Sequence, residues 1–313
     1  MQDKAEGPAS VTVLMASYNG AAALAPQLES FAAQTLPPTR VLISDDGSRD
    51  ATRAMVAEFA AAHPDLGVEL LEGPCRGAAR NFLHLLAQPV ETDFVALSDQ
   101  DDIWLPEKLA EAVRQLRALP GAEPALYCGR TWEVGEDLGK RRLSRGAPKP
   151  ASFRHALVQN IAGGNTMVFN RAAAEELRLA ALNTEDVVVH DWWAYQIMTG
   201  LGARVIFDDV PHMLYRQHAG NLIGANRGVA ATLRRARMVA SGRFREWCDI
   251  NIAALHQSER LLTPEARQLL DAFEALRKAP PLERLRRIRN LGLYRQGLRG
   301  QISLYLAALL GRL

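Results

Sequence analysis

Residues 94–102 read Phe94-Val95-Ala96-Leu97-Ser98-Asp99-Gln100-Asp101-Asp102, an apolar run that leads straight into three carboxylates. The run begins at residue 93 and has strand length. Upstream the same form recurs. Apolar runs at residues 11–16, 40–44 and 67–71 alternate with stretches at 21–34, 50–62 and 77–88, whose apolar residues fall at mixed three and four spacing. This β-α-β-α-β-α-β order predicts an α/β protein with a Rossmann-like, mainly parallel sheet flanked by helices. In such sheets ligands bind beyond the carboxyl ends of the strands. Attention therefore falls on Ala16-Ser17-Tyr18-Asn19-Gly20, Ser44-Asp45-Asp46-Gly47-Ser48 and Ser98-Asp99-Gln100-Asp101-Asp102.

Downstream the pattern loosens. A helix is expected at 106–119 with Pro106 at its first position, then a strand at 125–128 and a loop at 135–150. Strands at 165–169 and 204–207 enclose a helix at 191–199. Residues 229–257, 264–278 and 281–313 read as helical and Arg-rich. The chain is expected to divide near residue 225, with a catalytic part at 1–225 and a basic, helical C-terminal extension at 226–313.

The composition is that of a soluble globular protein, with 313 residues, 48% apolar and 23% charged, so disordered, collagenous and disulfide-stapled classes are excluded. Cys75, Cys128 and Cys248 are widely spaced and form no CxxC pair, which points to reduced thiols in a cytosolic protein. The short apolar run at 11–16 makes no signal peptide, and the longest late run, 302–310, is well below the ~20 residues of a spanning helix. Residues 227–313 carry 17 Lys/Arg and 7 Asp/Glu, a charge of +10, so the net +2 leaves −8 for residues 1–226. An acidic body argues against a nucleic-acid partner.

Three carboxylates within four residues repel one another, and a hard divalent cation such as Mg²⁺ or Mn²⁺ removes that repulsion while bridging to phosphates. A merely solvated acidic loop is the plain alternative. No GxGxxG follows the first strand and no GxxxxGK[ST] occurs anywhere, so phosphate charge must be met by metal and by side chains such as Arg76 and Arg80. Either arginine also reads as an ordinary helix-surface charge. Asp45-Asp46-Gly47-Ser48 is equally a turn that caps the next helix. Gly163-Gly164-Asn165-Thr166 permits close approach of a ligand to the backbone, or marks a plain turn.

The ordered motifs at residues 11–20, 43–50 and 97–104 resemble the inverting family 2 glycosyltransferases of GT-A fold. Ser98 to Trp104 is especially similar to bacterial rhamnosyltransferase-like members that build surface polysaccharide. The resemblance covers about residues 10–222. It implies transfer of a sugar, rhamnose from dTDP-rhamnose among the options, from a nucleotide-sugar donor to a saccharide or lipid-linked acceptor. It further implies that Tyr18 and Asp46 hold the nucleoside, Asp46 facing the pyrimidine, with Ala16 and Asn19 at the same nucleotide site. Arg80 would lie near the pyrophosphate. Asp99 and Asp101 match the DxD motif; Asp101 is the direct metal ligand, Asp99 reaches metal or ribose, and Asp102 supports the loop. His218 in Tyr215-Arg216-Gln217-His218 matches a residue brought towards metal or diphosphate.

In His190-Asp191-Trp192-Trp193 the resemblance makes Asp191 the base that deprotonates the acceptor hydroxyl. By themselves these residues also read as an N-cap followed by core tryptophans. Gly164, Asn165, His190 and Trp192 are the expected sugar or acceptor contacts. The arginines of the tail are either a solvated face or, with Ile302, Leu304, Leu306, Leu309 and Leu310, a peripheral contact with the inner face of an anionic membrane. Two further function classes stand beside transfer. Phosphoryl transfer through Asp99 is opposed by Ile103 at the motif's last position; a catalytically silent nucleotide-binding scaffold would bind donor without turnover.

Overall fold

The computed structural model describes residues 7, 9–120, 122–135, 137–217 and 242–313. Seven strands form the main sheet: β1 (Val11–Ser17), β2 (Arg40–Asp45), β3 (Val68–Glu72), β4 (Phe94–Ser98), β6 (Ala125–Gly129), β9 (Val168–Asn170) and β10 (Arg204–Asp208). Their order is β10-β6-β9-β4-β1-β2-β3. All pairings are parallel except those of β9 with β4 and β6. The expected mainly parallel sheet is therefore found.

Every residue of β1 and β4 is buried, because helices cover both faces. Alternating side chains feed two cores. Leu14, Leu42, Val95 and Leu97 face α3 (Ala78–Leu86), α6 (Arg171–Asn183) and α7 (His190–Gly200). Val13, Met15, Ile43 and Ala96 face α1 (Leu24–Ala32), α2 (Thr52–Ala62) and α4 (Lys108–Arg117).

A second sheet, ordered β5-β11-β7-β8, contains only short strands: β5 (Ile103–Trp104), β7 (Trp132–Val134), β8 (Arg142–Leu143) and β11 (Met213–Arg216). It was not expected, and β8 falls inside the stretch read as a loop. Its value to the site is direct. Ile103 and Trp104 follow the acidic residues at once, and pairing with Leu214 and Met213 pins the exit of that loop.

Helix α4 starts at Lys108 instead of Pro106, because Leu105 N–H donates to His212 O and Pro106 O accepts from Thr35 N–H, holding those residues in a turn. The strand expected at 165–169 begins only at Val168, and Gly164–Thr166 forms a 3-10 turn. Helix α6 and the short α5 (Phe153–Ala156) escaped the sequence reading altogether.

The tail contributes α8 (Arg243–Gln257), α9 (Pro264–Lys278), α10 (Pro281–Asn290) and α11 (Gly297–Leu309). The helical stretch expected over 281–313 is thus interrupted, at Gly292 with φ +63° and Gly297 with φ +69°. Phe244, Leu270, Ile288 and Leu304 belong to the same core as Leu14 and Leu97. The expected boundary near 225, like Arg234, Arg235 and Arg237, lies outside the described residues.

Candidate active site

The acidic loop leaves β4 at the centre of the sheet and is held from three sides. Asp102 is buried; its carboxylate accepts from Asn165 Nδ2 and from the Arg216 backbone N–H at 3.0 Å. Arg216 Nε donates to Asp101 O at 3.0 Å. Asp102 is thus spent on the scaffold, as expected of a loop support, while Asp99 and Asp101 are half-buried. Burial pushes Asp99 well above the usual carboxylate range, and the charges of Asp102, Asp101 and Asp191 push it further. Burial, then Asp101, raises Asp102 to about 7. Burial raises the Tyr215 phenol, and the same four carboxylates add to the effect, so this ring shares their surroundings.

The first and second strand ends are laced together. Ser17 pairs with Asp45 in register. Asn19, at φ +45°, accepts from Arg49 N–H at 2.9 Å, and its own N–H donates to Ser48 Oγ at 2.8 Å. Gly20 N–H donates to Thr52 Oγ1 and Ala21 N–H to Asp50. On the other side Gln100 grips Tyr18: Tyr18 N–H donates to Oε1 at 2.9 Å and Nε2 donates to Tyr18 O at 3.0 Å. A Cβ on Gly20 would lie 2.2 Å from Gln100 Oε1, so a side chain there would displace the Gln100 amide from Tyr18. The Tyr18 side chain remains exposed. Ala16 is buried in the core and meets this region through its backbone.

The adjacent carboxylates of the second strand have different settings. Asp45 is fully buried and accepts from Ser17 Oγ, Ser48 N–H, Ser48 Oγ and Arg53 Nη1 at 2.5–3.3 Å. Asp46 accepts from Arg76 N–H at 3.3 Å and Gly77 N–H at 2.6 Å, the turn into α3. Arg80, on α3, lies 3.2 Å from Asp186.

Asp191 stands in the first turn of α7, where the helix dipole favours a negative charge. Its carboxylate accepts from Trp192 N–H at 2.6 Å and Gly164 N–H at 3.3 Å. Burial nevertheless outweighs these bonds and pushes its pKa up to about 6. His190 is buried and stacked on Phe82, with centroids 3.6 Å apart and planes 18° apart. Burial lowers its pKa to about 3, so the ring is neutral. Its Nε2 has no hydrogen-bond partner among the described residues and points at Gly164, where a Cβ would come within 2.3 Å. Trp192 sits in the core: its Nε1 donates to Ala156 O at 2.7 Å and its ring stacks on Phe244. His218 lies outside the described residues.

The structure therefore brings Asp99, Asp101, Asp191 and Tyr215 into one electrostatic neighbourhood, with Gly164, Asn165 and His190 at its side. Sequence reading missed Gln100, Arg216 and the hub role of Asp45. Gln100 lay between the two acids of DxD, and its amide was the available signal.

The model for Glycosyl transferase family 2 matches residues 12–178, more than half of the chain. The chain belongs to glycosyl transferase family 2. As a member it is a glycosyltransferase, and its acidic loop falls inside the matched segment, whereas Asp191 and Tyr215 lie beyond it. The dTDP-rhamnosyl transferase RfbG of Shigella flexneri is 28% identical over 240 residues, 74% of this chain and 81% of its own. Two solved structures share the GT-A fold. The mannosyltransferase PcManGT from Pyrobaculum calidifontis, in complex with GDP-Man and Mn²⁺, matches with TM-score 0.50 at 20% identity, over 98% of this chain and 86% of that one. S. aureus TarS 1-349 in complex with UDP-GlcNAc matches with TM-score 0.55 at 16% identity, over 90% and 89%.

A divalent cation in this family 2 enzyme would have to be held by the residues of the acidic loop. Among the described residues no three His, Cys, Asp or Glu side chains close into a ready-made cage. Asp99 and Asp101 bring carboxylate oxygens to the end of β4, and the charge of Asp101 adds to the upward push on Asp99. Such a pair suits Mg²⁺ or Mn²⁺, which take one or two carboxylates and complete their shell with water and substrate phosphates.

Proposed function

We propose that this glycosyltransferase moves a sugar from a nucleotide-sugar donor to a saccharide or lipid-linked acceptor, with inversion at the anomeric carbon. The observation that carries the reading is Asp191: a carboxylate at a helix start, its pKa pushed up to about 6, in the same neighbourhood as Asp99 and Asp101. A base must be ionised at working pH yet basic enough to accept a hydroxyl proton, and a value near 6 meets both needs.

Asp191 takes the acceptor proton. Asp101, with Asp99 and His218, would hold Mg²⁺ or Mn²⁺, which would supply positive charge to neutralise the departing diphosphate. Tyr18 offers an exposed ring to the nucleoside, and Asn19, Asp46 and the backbone at Ala16 frame the same pocket. Arg80 turns from Asp186 to the diphosphate. Gly164 leaves room for the sugar, with Asn165 and the neutral His190 beside it, and Trp192 supports this face from the core by fixing α7. The 28% identity to a dTDP-rhamnosyl transferase favours dTDP-rhamnose as donor, and the motif resemblance at Ser98 to Trp104 implies surface polysaccharide as product. The basic tail gives peripheral contact with a membrane that carries the acceptor.

The test is turnover of dTDP-, UDP- and GDP-sugars with Mn²⁺ or with EDTA, the product anomer being read by NMR. The expected result is inversion with one donor, abolished by EDTA and by Asp101→Asn. Wild-type turnover by Asp101→Asn in EDTA would remove the metal from the reading.

A further inference from the structure

Helix α11 carries apolar residues on the outside of the protein. Leu298 is 77% exposed, Ile302 49%, Leu306 51% and Leu310 64%, with Leu309 also exposed. Steps of four, four, three and one residues place them on one stripe of the helix, opposite the buried Leu304, Ala307 and Ala308. The membrane contact read from sequence included Leu304; the structure turns that residue inward and puts Leu298 in the exposed set. Arg284 Nη1 donates to Ala308 O at 2.9 Å, which brings the start of α10, with Leu282 79% exposed, beside the end of α11.

The surrounding charge is mainly positive, with Glu283 at the start of α10 paired to Arg286 and Arg287. From residue 284 to 313 there are seven arginines and no Asp or Glu. Arg286, Arg289 and Arg299 are exposed. A single exposed apolar stripe flanked by arginine fits the boundary between headgroups and acyl chains of an anionic bilayer. A second copy of the same stripe would bring like charges together, which opposes self-association through this face.

We infer that the α10–α11 face seats the protein on anionic phospholipid, with Leu298, Ile302, Leu306 and Leu310 entering the acyl boundary and Arg286, Arg289 and Arg299 on the headgroups. The inference deepens the proposed function by giving the tail's partner and the residues that meet it; it rests on that reading only for its purpose, delivery to a lipid-held acceptor. The platform is fixed to the site. Arg295 Nε donates to Val158 O at 2.8 Å and Gln296 N–H to Gln159 Oε1 at 2.7 Å, beside α5, which packs on α7.

The experiment is sedimentation of the full chain with vesicles of phosphatidylglycerol and phosphatidylethanolamine, and with vesicles of phosphatidylcholine alone. Strong binding is expected only to the anionic vesicles, falling with salt, since each arginine near such a surface is worth about fivefold in partition. Ile302→Glu/Leu306→Glu alters exposed positions only, so folding persists by circular dichroism, and binding should fall at least tenfold. Donor hydrolysis, measured on the same preparations, should not change. Equal binding by wild type and variant, or none to anionic vesicles, overturns the inference whatever the transfer assay gives. A wild-type dimer in light scattering that the variant turns into monomers, without vesicle binding, assigns the face to a second copy and also overturns it.

Discussion

Gln100 spans from the acidic loop after β4 to the loop after β1, its side-chain amide matched to the backbone of Tyr18 by two hydrogen bonds of 2.9 and 3.0 Å. The residue between the two acids thereby sets the distance between the Tyr18 ring and Asp99–Asp101. Gln100→Ala removes both bonds, each worth about 1 kcal/mol. Nucleoside diphosphate affinity with Mn²⁺ should fall by about thirtyfold in calorimetry, while the unfolding midpoint moves little. Unchanged affinity would make the clamp a bystander.

Asp191 links chemistry to pH. If it accepts the acceptor proton, Asp191→Asn retains donor binding and lowers transfer by about 10²–10⁴-fold. For the wild type, the ionised carboxylate is the active form. Transfer should therefore rise with pH through about 6 and level off above it. A flat profile from pH 5 to 8, or near-normal transfer by the variant, would leave Asp191 as a helix-start residue only.

The two neighbouring carboxylates of the second strand should separate cleanly. Asp45→Ala strips four donors of their buried acceptor and should cost about 3 kcal/mol of folding stability in urea titration. Asp46→Ala should leave the fold in place and weaken nucleoside diphosphate by about 1.5–3 kcal/mol. The reverse assignment of losses would exchange their roles.

Arg80 is expected to read phosphate charge, not the base. Arg80→Ala should weaken a nucleoside diphosphate at least tenfold and leave the bare nucleoside unaffected. Removing its competitor by Asp186→Asn should tighten the diphosphate by about twofold to fivefold, the scale of an exposed ion pair. Parallel losses for nucleoside and diphosphate would place Arg80 elsewhere.

The main sheet was legible in sequence because β1, β2 and β4 are covered on both faces, and such strands must be continuous apolar runs. The acidic loop was legible for the opposite reason, since three carboxylates within four residues directly after such a run repel one another and call for a compensating partner. The second sheet was hidden: two-residue strands such as β5 and β8 carry no period, and their partners lie far along the chain. Nor could spacing tell Asp45 from Asp46. That distinction arises because Ser17, Ser48 and Arg53 converge on the first, while the turn at Arg76–Gly77 meets the second. Trp192 illustrates the same limit, since its inward packing depends on Phe244, which arrives from the tail.

That stack decides how the gene can be cut. Phe244 lies against Trp192, and the guanidinium of Arg295 sits 4.6 Å over the Phe244 ring, so α8 and the turn before α11 pack onto the same core as α7. A chimera that grafts residues 1–217 onto a foreign tail would uncover indole and leucine surface next to Asp191. Such hybrids should come out insoluble unless the receiving tail brings its own aromatic plug.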